Sequence, residues 1–514
     1  MLSEKCTAVS NRIHNLLIRR PHIVVWLILG YFVLSVLLRV IRSDSLQNDE
    51  AEQVFQAQFL LLGYGRQPPF YNWLQIGTFE LFGISVATIS LLKNTLLFLC
   101  CLFYWLAARM VIDDRRLSLV AMLGVLAVPS VTVLAQRDLT HAVATLCLVS
   151  LFLCLFFRTL KSPSVPSYLL LGVVIGIGVI TKYNFVIIPV AAALAVLPEP
   201  DLRKRLFDWR ILPCAAVAAA IALPNFLWVL SHLDAATSGT VDAMRVGSSG
   251  DAAKDTIRGL TSILISTIEG TVAVLILFAA VFFRSIGAAM RAESRWTRIT
   301  GRMIIACVVI VALIGIGFGA SSIREKWLSP FLLLLPLYLT LKLAAAGVDS
   351  RQSVARMAPP VIGIVTAFIV YLAISIILGP FIGQYGKEHV PYRALLDQLI
   401  DARGERPAYI VSSDQMLAGN ARLNLPSVPA LLPGFVQPVP LDTVRKQGPG
   451  LLVWPANAGE TAMPDLLTTL LRDDNIPPET LAVQWISVPY KFARNGQSMR
   501  FGYAWLDAAP QAQR

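Results

Sequence analysis

A chain of 514 residues with 56% hydrophobic and only 15% charged residues falls well short of the roughly 25% charged residues usual in soluble proteins, so most of it belongs in lipid. The formal net charge of +12 would suit a nucleic-acid binder, but the basic residues gather in short loops between apolar runs, as the positive-inside rule expects. Nucleic acid is therefore excluded as a partner.

The seven cysteines outline neither a disulfide framework nor a metal site. Cys100, Cys101, Cys147, Cys154, Cys214 and Cys307 lie inside apolar runs, where the thiol serves as a small hydrophobe, and Cys6 sits in a basic N-terminal tail, residues 1–21. The first apolar run, near residues 22–41, is too long for a signal-peptide core and no small-residue cleavage site follows it, so it reads as a retained anchor.

Spans of about 20 apolar residues are expected near 22–41, 86–108, 117–135, 139–157, 165–181, 183–198, 211–230, 262–283, 303–320, 328–343 and 359–379. That makes about eleven, and the pair flanking Thr181-Lys182-Tyr183-Asn184 could be one broken helix. With the N-terminus in the cytoplasm, the inner loops collect the arginines and lysines, including Arg115, Arg116, Arg203, Lys204, Arg205, Arg295, Arg298 and Arg302, and the outer loops hold far fewer. An odd number of spans then places the C-terminus outside.

The expected fold class is an α-helical polytopic membrane protein with a C-terminal α/β domain on the outer side. Residues 22–380 form the transmembrane part, with outer loops at 42–85, 136–141, 231–261 and 321–327, and residues 381–514 the soluble domain. Within that domain "PAYIVSSDQMLAG" (407–419) and "GLLVWPA" (450–456) read as buried strands followed by turns, "PDLLTTLLRDD" (464–474) as an amphipathic helix and "GYAWLDA" (502–508) as a closing strand.

The ionisable residues of the membrane part collect in the outer loops, where they mark a functional cavity. The first loop holds Asp49, Glu50, Glu52 and Arg66, and the second holds Arg137, Asp138 and His141. Lys182 stands at an outer helix end. The loop near 231–261 adds His232, Asp234, Arg245, Lys254 and Arg258, and "SSIREKWLSP" (321–330) adds Arg324, Glu325 and Lys326. His232 and His389 read as ordinary surface histidines.

A structural reading competes at each position. Asn48 is a suitable N-cap, and the acidic residues after it would then occupy a first helical turn, where the dipole favours anions. Ala51, Val54, Phe55, Phe59 and Leu62 would make that helix amphipathic and interfacial. The second half of the loop, "GYGRQPPFYNW", is not explained this way: glycines for unusual backbone angles precede a rigid Pro-Pro and an aromatic cluster. Lys182 could simply snorkel, Asp138 could pair with Arg137 or cap a helix, and the aromatics could be interface anchors.

The order of one span, an Asp-Glu loop, an amphipathic helix and "PPFYNW" resembles the polyprenyl-phosphate-sugar-dependent type C glycosyltransferases, which include aminoarabinose transferases acting on lipid A and protein O-mannosyltransferases. The likeness is strongest to the bacterial branch of lipopolysaccharide-core galacturonosyl transferases. "QRDLTHA" (136–142), "GIGVITKYNF" (176–185) and "REKWLSPFLLLLPLY" (324–338) fit as well, so the resemblance covers roughly residues 22–380; "DQMLAGNAR" (414–422) matches softly.

The resemblance implies a donor sugar carried on a polyprenyl phosphate, a lipid or glycan acceptor such as lipid A or lipopolysaccharide core, and action at the periplasmic face of a bacterial inner membrane. It also implies inversion at the anomeric carbon. Asp49 is then the expected catalytic carboxylate, kept ionised by the helix N-terminus. It would take a proton from a hydroxyl acceptor, or orient an acceptor phosphate, with Glu50 as its alternate and Asp138 as a partner. Lys182, Arg324, Lys326 and Arg66 are expected to bind the leaving phosphate. Tyr64, Phe70, Tyr71, Trp73 and His141 are expected to line the substrate groove. Asp49, Asp138 and His141 could ligate a divalent metal, which the sequence neither requires nor identifies. The rival readings are a lipid-linked glycan transporter or flippase, against which no internal repeat is found, and a glycan polymerase or ligase of similar topology.

Overall fold

The computed structural model describes residues 12, 14–436, 439–457 and 459–509; Cys6 and most of the expected N-terminal tail lie outside them. All eleven expected apolar segments are helical. Among the described residues eight helices are long and apolar enough to cross a membrane, or nine if the bent pair Arg115–Val125 and Ser130–Arg137 is one span. The chain is thus a multi-pass helical membrane protein, with fewer full-length helices than expected. The difference lies in Val165–Val179 and Tyr183–Val196, which are shorter apolar helices. At about 1.5 Å per residue, the 15 residues of Val165–Val179 rise roughly 22 Å, short of a bilayer core of about 30 Å.

The chain divides into two compact units: residues 1–35, 62–71 and 93–369 form the first, and residues 36–61, 72–92 and 370–514 the second. The first loop therefore contributes to both.

The first unit is a helical bundle whose core holds Leu97, Cys100, Tyr104, Val149, Phe157, Phe185, Met303 and Leu337. The Tyr104 hydroxyl donates to the Leu333 carbonyl at 2.5 Å and accepts from Leu337 N–H at 2.8 Å, standing between two backbone groups at the break between the helices Glu325–Leu332 and Leu334–Ala345. The helix Arg115–Val125 starts on the Asp114 cap. It bends by 60° before Ser130–Arg137, where the five residues Ser130–Leu134 form a π-helical turn, a known source of sharp bends. At another edge, Glu199 accepts from Arg298 at 3.2 Å and from Arg302 at 3.0 Å, and Arg295 pairs with Asp201 at 2.8 Å. These pairs tie the start of the short helix Pro200–Arg203, capped by Glu199, to the helix Arg295–Gly317.

The second unit is built on a five-stranded sheet: β1 (Tyr409–Val411), β2 (Ala430–Leu431), β3 (Gly450–Ala456), β4 (Gln484–Pro489) and β5 (Ser498–Leu506), in the order β2-β1-β3-β5-β4. The pairs β1–β2 and β1–β3 are parallel, and β3–β5 and β4–β5 antiparallel. Strand alternation divides its residues between two cores. Ile410, Leu451, Val453 and Phe501 join Leu395 and Leu399 of the helix Tyr392–Arg403, while Val411, Leu452, Trp454 and Ala504 join Leu467 and Leu471 of the helix Asp465–Asp473. The stretch 407–419 is corrected in its second half. Asp414 accepts from Leu417 N–H, and the helix Gln415–Asn424 starts where turns were expected. The short edge strand β2 and strand β4 carry weaker alternation and were not foreseen.

Hydrogen bonds from Arg298, with Arg302 adding to them, hold the Glu199 carboxyl below the usual carboxylate range against the opposing effect of burial. A carboxyl so depressed contributes stability above its unfolded pKa of about 4.3, and that contribution is lost as pH falls through the lower folded value. Glu199→Gln is expected to lower thermal stability at pH 7 by about 1–3 kcal/mol, with the gap to the native protein closing below about pH 4. Melting curves in detergent across pH test this; a gap unchanged down to pH 3 contradicts it.

Candidate active site

The first-loop helix, Asn48–Gln56, begins one residue earlier than the expected cap: Gln47 is the N-cap and Asn48 the first helical residue. Asp49 and Glu50 still occupy the first turn. They differ in burial, Asp49 half-buried and Glu50 buried. The carboxylate of Glu50 is 1% exposed and meets Arg39 in a two-pronged pair, with Nη2 on Oε2 at 2.6 Å and Nε on Oε1 at 3.3 Å. Glu50 Oε2 also accepts from Gln47 N–H at 3.1 Å, closing the helix start. The rest of the Arg39 guanidinium donates to the Ser43 and Ser45 carbonyls at 2.7 and 2.9 Å. Glu50, expected as an alternate catalytic group, is thus engaged by Arg39 and by the helix start. Asn48 stays exposed and Asp49 half-buried, while every residue from Glu50 to Gln56 is buried. The expected interfacial helix, open along one side, is corrected by the same fact.

The stretch preceding this helix is stitched to the rest of the second unit. Ser43 and Ser45 donate to the Glu388 and Val390 carbonyls at 2.8 Å each. Leu46 N–H donates to Asn420 Oδ1 at 2.9 Å, and Lys491 pairs with Asp44 and donates to Ser45 Oγ at 2.8 Å. The helix Gln415–Asn424 packs so closely that a Cβ on Gly419 would stand 2.1 Å from the Ala51 carbonyl oxygen, so only glycine fits there. Behind it runs a buried polar chain: Glu52 Oε1 accepts from Gln56 at 3.1 Å, and Gln56 Oε1 accepts from Asn72 at 2.7 Å. Trp73, expected in the groove, donates its indole N–H to the Leu61 carbonyl at 2.8 Å.

The remaining candidates belong to the first unit. Tyr64 and Gln67 bridge through their backbones, with Gly65 at φ +66°, a left-handed turn that exposes Arg66 at its tip. Tyr64 and Tyr71 are buried and Phe70 half-buried, and Phe70 N–H donates to the Ile180 carbonyl at 3.0 Å, tying this segment to the stretch that holds Lys182. His141, also buried, starts the helix His141–Lys161, packs its ring 5.3 Å from that of Tyr71, and hydrogen-bonds the Pro68 carbonyl. Asp138 is half-buried and ends the short helix Ala135–Arg137. Lys182 Nζ donates to the Lys326 carbonyl at 3.3 Å, and Asn184 Nδ2 to the Trp327 carbonyl at 2.8 Å. Arg324 is the exposed N-cap residue of the helix Glu325–Leu332, with Lys326 half-buried in its first turn.

The first unit thus brings together residues from four separated stretches: Arg66 with Phe70 and Tyr71, Asp138 with His141, Lys182, and Arg324 with Lys326. Lys182 and the positive end of the helix Glu325–Leu332 make a region suited to an anion. Among the described residues no group of three or more His, Cys, Asp or Glu could hold a metal.

Sequence reasoning passed over Arg39, Lys93, Asn94 and Gln136. Lys93 is 1% exposed inside the helix Val86–Val111, and its neighbour Asn94 accepts from Gln136, beside Arg137 and Asp138, at 2.7 Å. The signal was present: Arg39 and Lys93 are ionisable groups within apolar runs, which is costly unless they are used.

A family model described as dolichyl-phosphate-mannose-protein mannosyltransferase matches residues 66–228. The chain is 40% identical over 484 residues to the lipopolysaccharide core galacturonosyltransferase RgtA of Rhizobium johnstonii, covering 93% of this chain and 96% of that one. It is 40% identical over 486 residues to RgtB of the same organism, covering 94% and 97%. Its fold is similar to that of ArnT from Cupriavidus metallidurans, solved bound to undecaprenyl phosphate, with a TM-score of 0.61 at 16% identity over 93% of this chain and 97% of that one.

The Arg39–Glu50 pair is buried on both sides. Glu50→Gln leaves a buried guanidinium without its counter-charge and is expected to cost about 3–5 kcal/mol. Thermal unfolding of the purified variant against the native protein measures this, and an unchanged melting point would contradict it.

Proposed function

We propose, on the premise that this chain belongs to the type C family of membrane glycosyltransferases, that it moves a single galacturonosyl residue from a polyprenyl-phosphate donor to a lipid or glycan acceptor of the lipopolysaccharide kind. The reaction is placed at the periplasmic face of a bacterial inner membrane, with the N-terminus cytoplasmic, residues 22–380 as the catalytic part and residues 381–514 periplasmic. The names of RgtA and RgtB supply the sugar and the acceptor class, and the lipid bound to ArnT the carrier.

The observation that carries the reading is the convergence in the first unit of Arg66, His141, Lys182 and Lys326 from distant stretches of sequence. Cations around a half-buried lysine are suited to a lipid monophosphate whose charge grows as it leaves. In the proposed step the acceptor hydroxyl oxygen attacks the anomeric carbon and forms the new glycosidic bond. The bond from the anomeric carbon to the phosphate oxygen breaks, and polyprenyl phosphate departs with the electron pair, stabilised by Lys182 with Arg66, Arg324 and Lys326. The acceptor proton passes to the Asp49 carboxylate. Asp138 serves as a second carboxylate orienting the acceptor. Phe70 is the groove wall, and His141, Tyr64 and Tyr71 hold the Arg66 turn and its flanks in place. Displacement from the face opposite the phosphate inverts the anomeric centre.

The test is transfer in proteoliposomes from a radiolabelled polyprenyl-phosphate galacturonic acid to lipopolysaccharide core. Native protein is expected to transfer the sugar, and Asp49→Asn at equal abundance and melting point to lose about a hundredfold or more of kcat. A native protein inert with this donor, or an Asp49→Asn variant as active as the native protein, contradicts the assignment.

A further inference from the structure

The second unit carries an open groove that the proposed reaction does not use. It has a volume of about 610 Å³ and lies between the helix Tyr392–Arg403 and the C-terminal end of the helix Gln415–Asn424. Its apolar lining is formed by Leu396, Ile400, Leu423 and Leu425, and its charged lining by Arg393 and Arg406 with Asp397 and Asp401. The volume is that of a ligand site, which typically runs from about 300 to 1,000 Å³.

One wall is held rigid from behind. Arg422 donates to the Pro426 carbonyl and, at 3.3 Å, to the Val428 carbonyl, fixing the turn after Leu425. Asn424 is anchored on the Asn420 carbonyl at 2.8 Å. The charged groups, by contrast, are loosely engaged. Arg393 and Asp397 meet at 3.9 Å with side chains 70% and 66% exposed, a pairing worth little in water and readily exchanged for a ligand.

We infer that this groove binds an acidic oligosaccharide, the glycan portion of the acceptor. Three features match that chemistry together. Guanidinium groups pair sugar carboxylates two-pronged, aspartates accept hydrogen bonds from ring hydroxyls, and the half-buried Ile400, Leu423 and Leu425 offer apolar surface to the C–H groups of pyranose rings. An open trough with a preformed wall suits a chain of sugars laid along it. This inference rests on the glycosyltransferase reading for the identity of the ligand, and on the groove itself for the site.

The test uses the full-length protein in detergent and trigalacturonate as the probe, with maltotriose as the neutral control, followed by transfer kinetics on lipopolysaccharide core. Arg393→Ala/Arg406→Ala is expected to weaken trigalacturonate binding about tenfold and to raise the KM for acceptor comparably, with kcat and melting point unchanged. Arg393→Lys/Arg406→Lys keeps the charge without the two-pronged geometry and is expected to fall between. The inference is overturned if the native protein does not bind trigalacturonate, if maltotriose binds as tightly, or if the alanine variant binds as the native protein does. Arginine-dependent binding by a protein that transfers no sugar from any lipid-linked donor would uphold the groove and refute the reaction.

Discussion

One buried ion pair governs what the first loop can do. Arg39 would be prohibitively costly at its depth in an apolar helix without a counter-charge, and Glu50 supplies it across eleven residues of sequence. The pair is worth more as a constraint than as a source of stability, because much of the attraction is offset by the cost of taking both charges out of water. It fixes the start of the helix Asn48–Gln56, and the Ser43 and Ser45 carbonyls bound to the same guanidinium fix the approach to it. With Glu50 turned inward, its neighbour must point elsewhere, since consecutive helical residues diverge by about 100°. Asp49 is half-buried on the same first turn.

The first unit solves a different problem by different means. Its cationic region is positioned largely through backbone carbonyls: Pro68 receives His141, Ile180 receives Phe70 N–H, Lys326 receives Lys182 and Trp327 receives Asn184. Carbonyls thus help to orient His141, Lys182 and Asn184. The broken helix ahead of Asp138 and the left-handed Gly65 turn serve the same purpose, delivering short loops where a straight helix would have passed by.

Much of this was legible from the residues. Apolar runs gave the helices, and the ionisable residues Arg66, His141, Lys182 and Lys326 marked stretches that meet in the first unit, because desolvation makes such groups rare without a use. Span number was less legible, since hydropathy detects Val165–Val179 as apolar without showing that it is too short to cross alone. The role of Glu50 was hidden because its partner, Arg39, lies in what reads as lipid-facing helix, and only tertiary packing brings the two together. The burial of the first-loop helix was hidden likewise: Phe55 and Val54 look like one face of an interfacial helix until Gly419 and its neighbours cover the other. In the second unit β3 is a continuous buried apolar run and β5 alternates, and both were found, whereas β2 spans two residues and owes its pairing to β1 rather than to any pattern of its own.

In the proposed reaction a carboxylate meets the acceptor while cations hold the lipid phosphate, a division of labour between the two sets of groups. The affinity of detergent-purified protein for polyprenyl phosphate tests that division directly. Lys182→Ala should weaken binding at least about tenfold, the loss of one charge-assisted contact in a half-buried site, while Asp49→Asn should bind as tightly as the native protein or tighter. Unchanged affinity in Lys182→Ala, or a loss confined to Asp49→Asn, would contradict it.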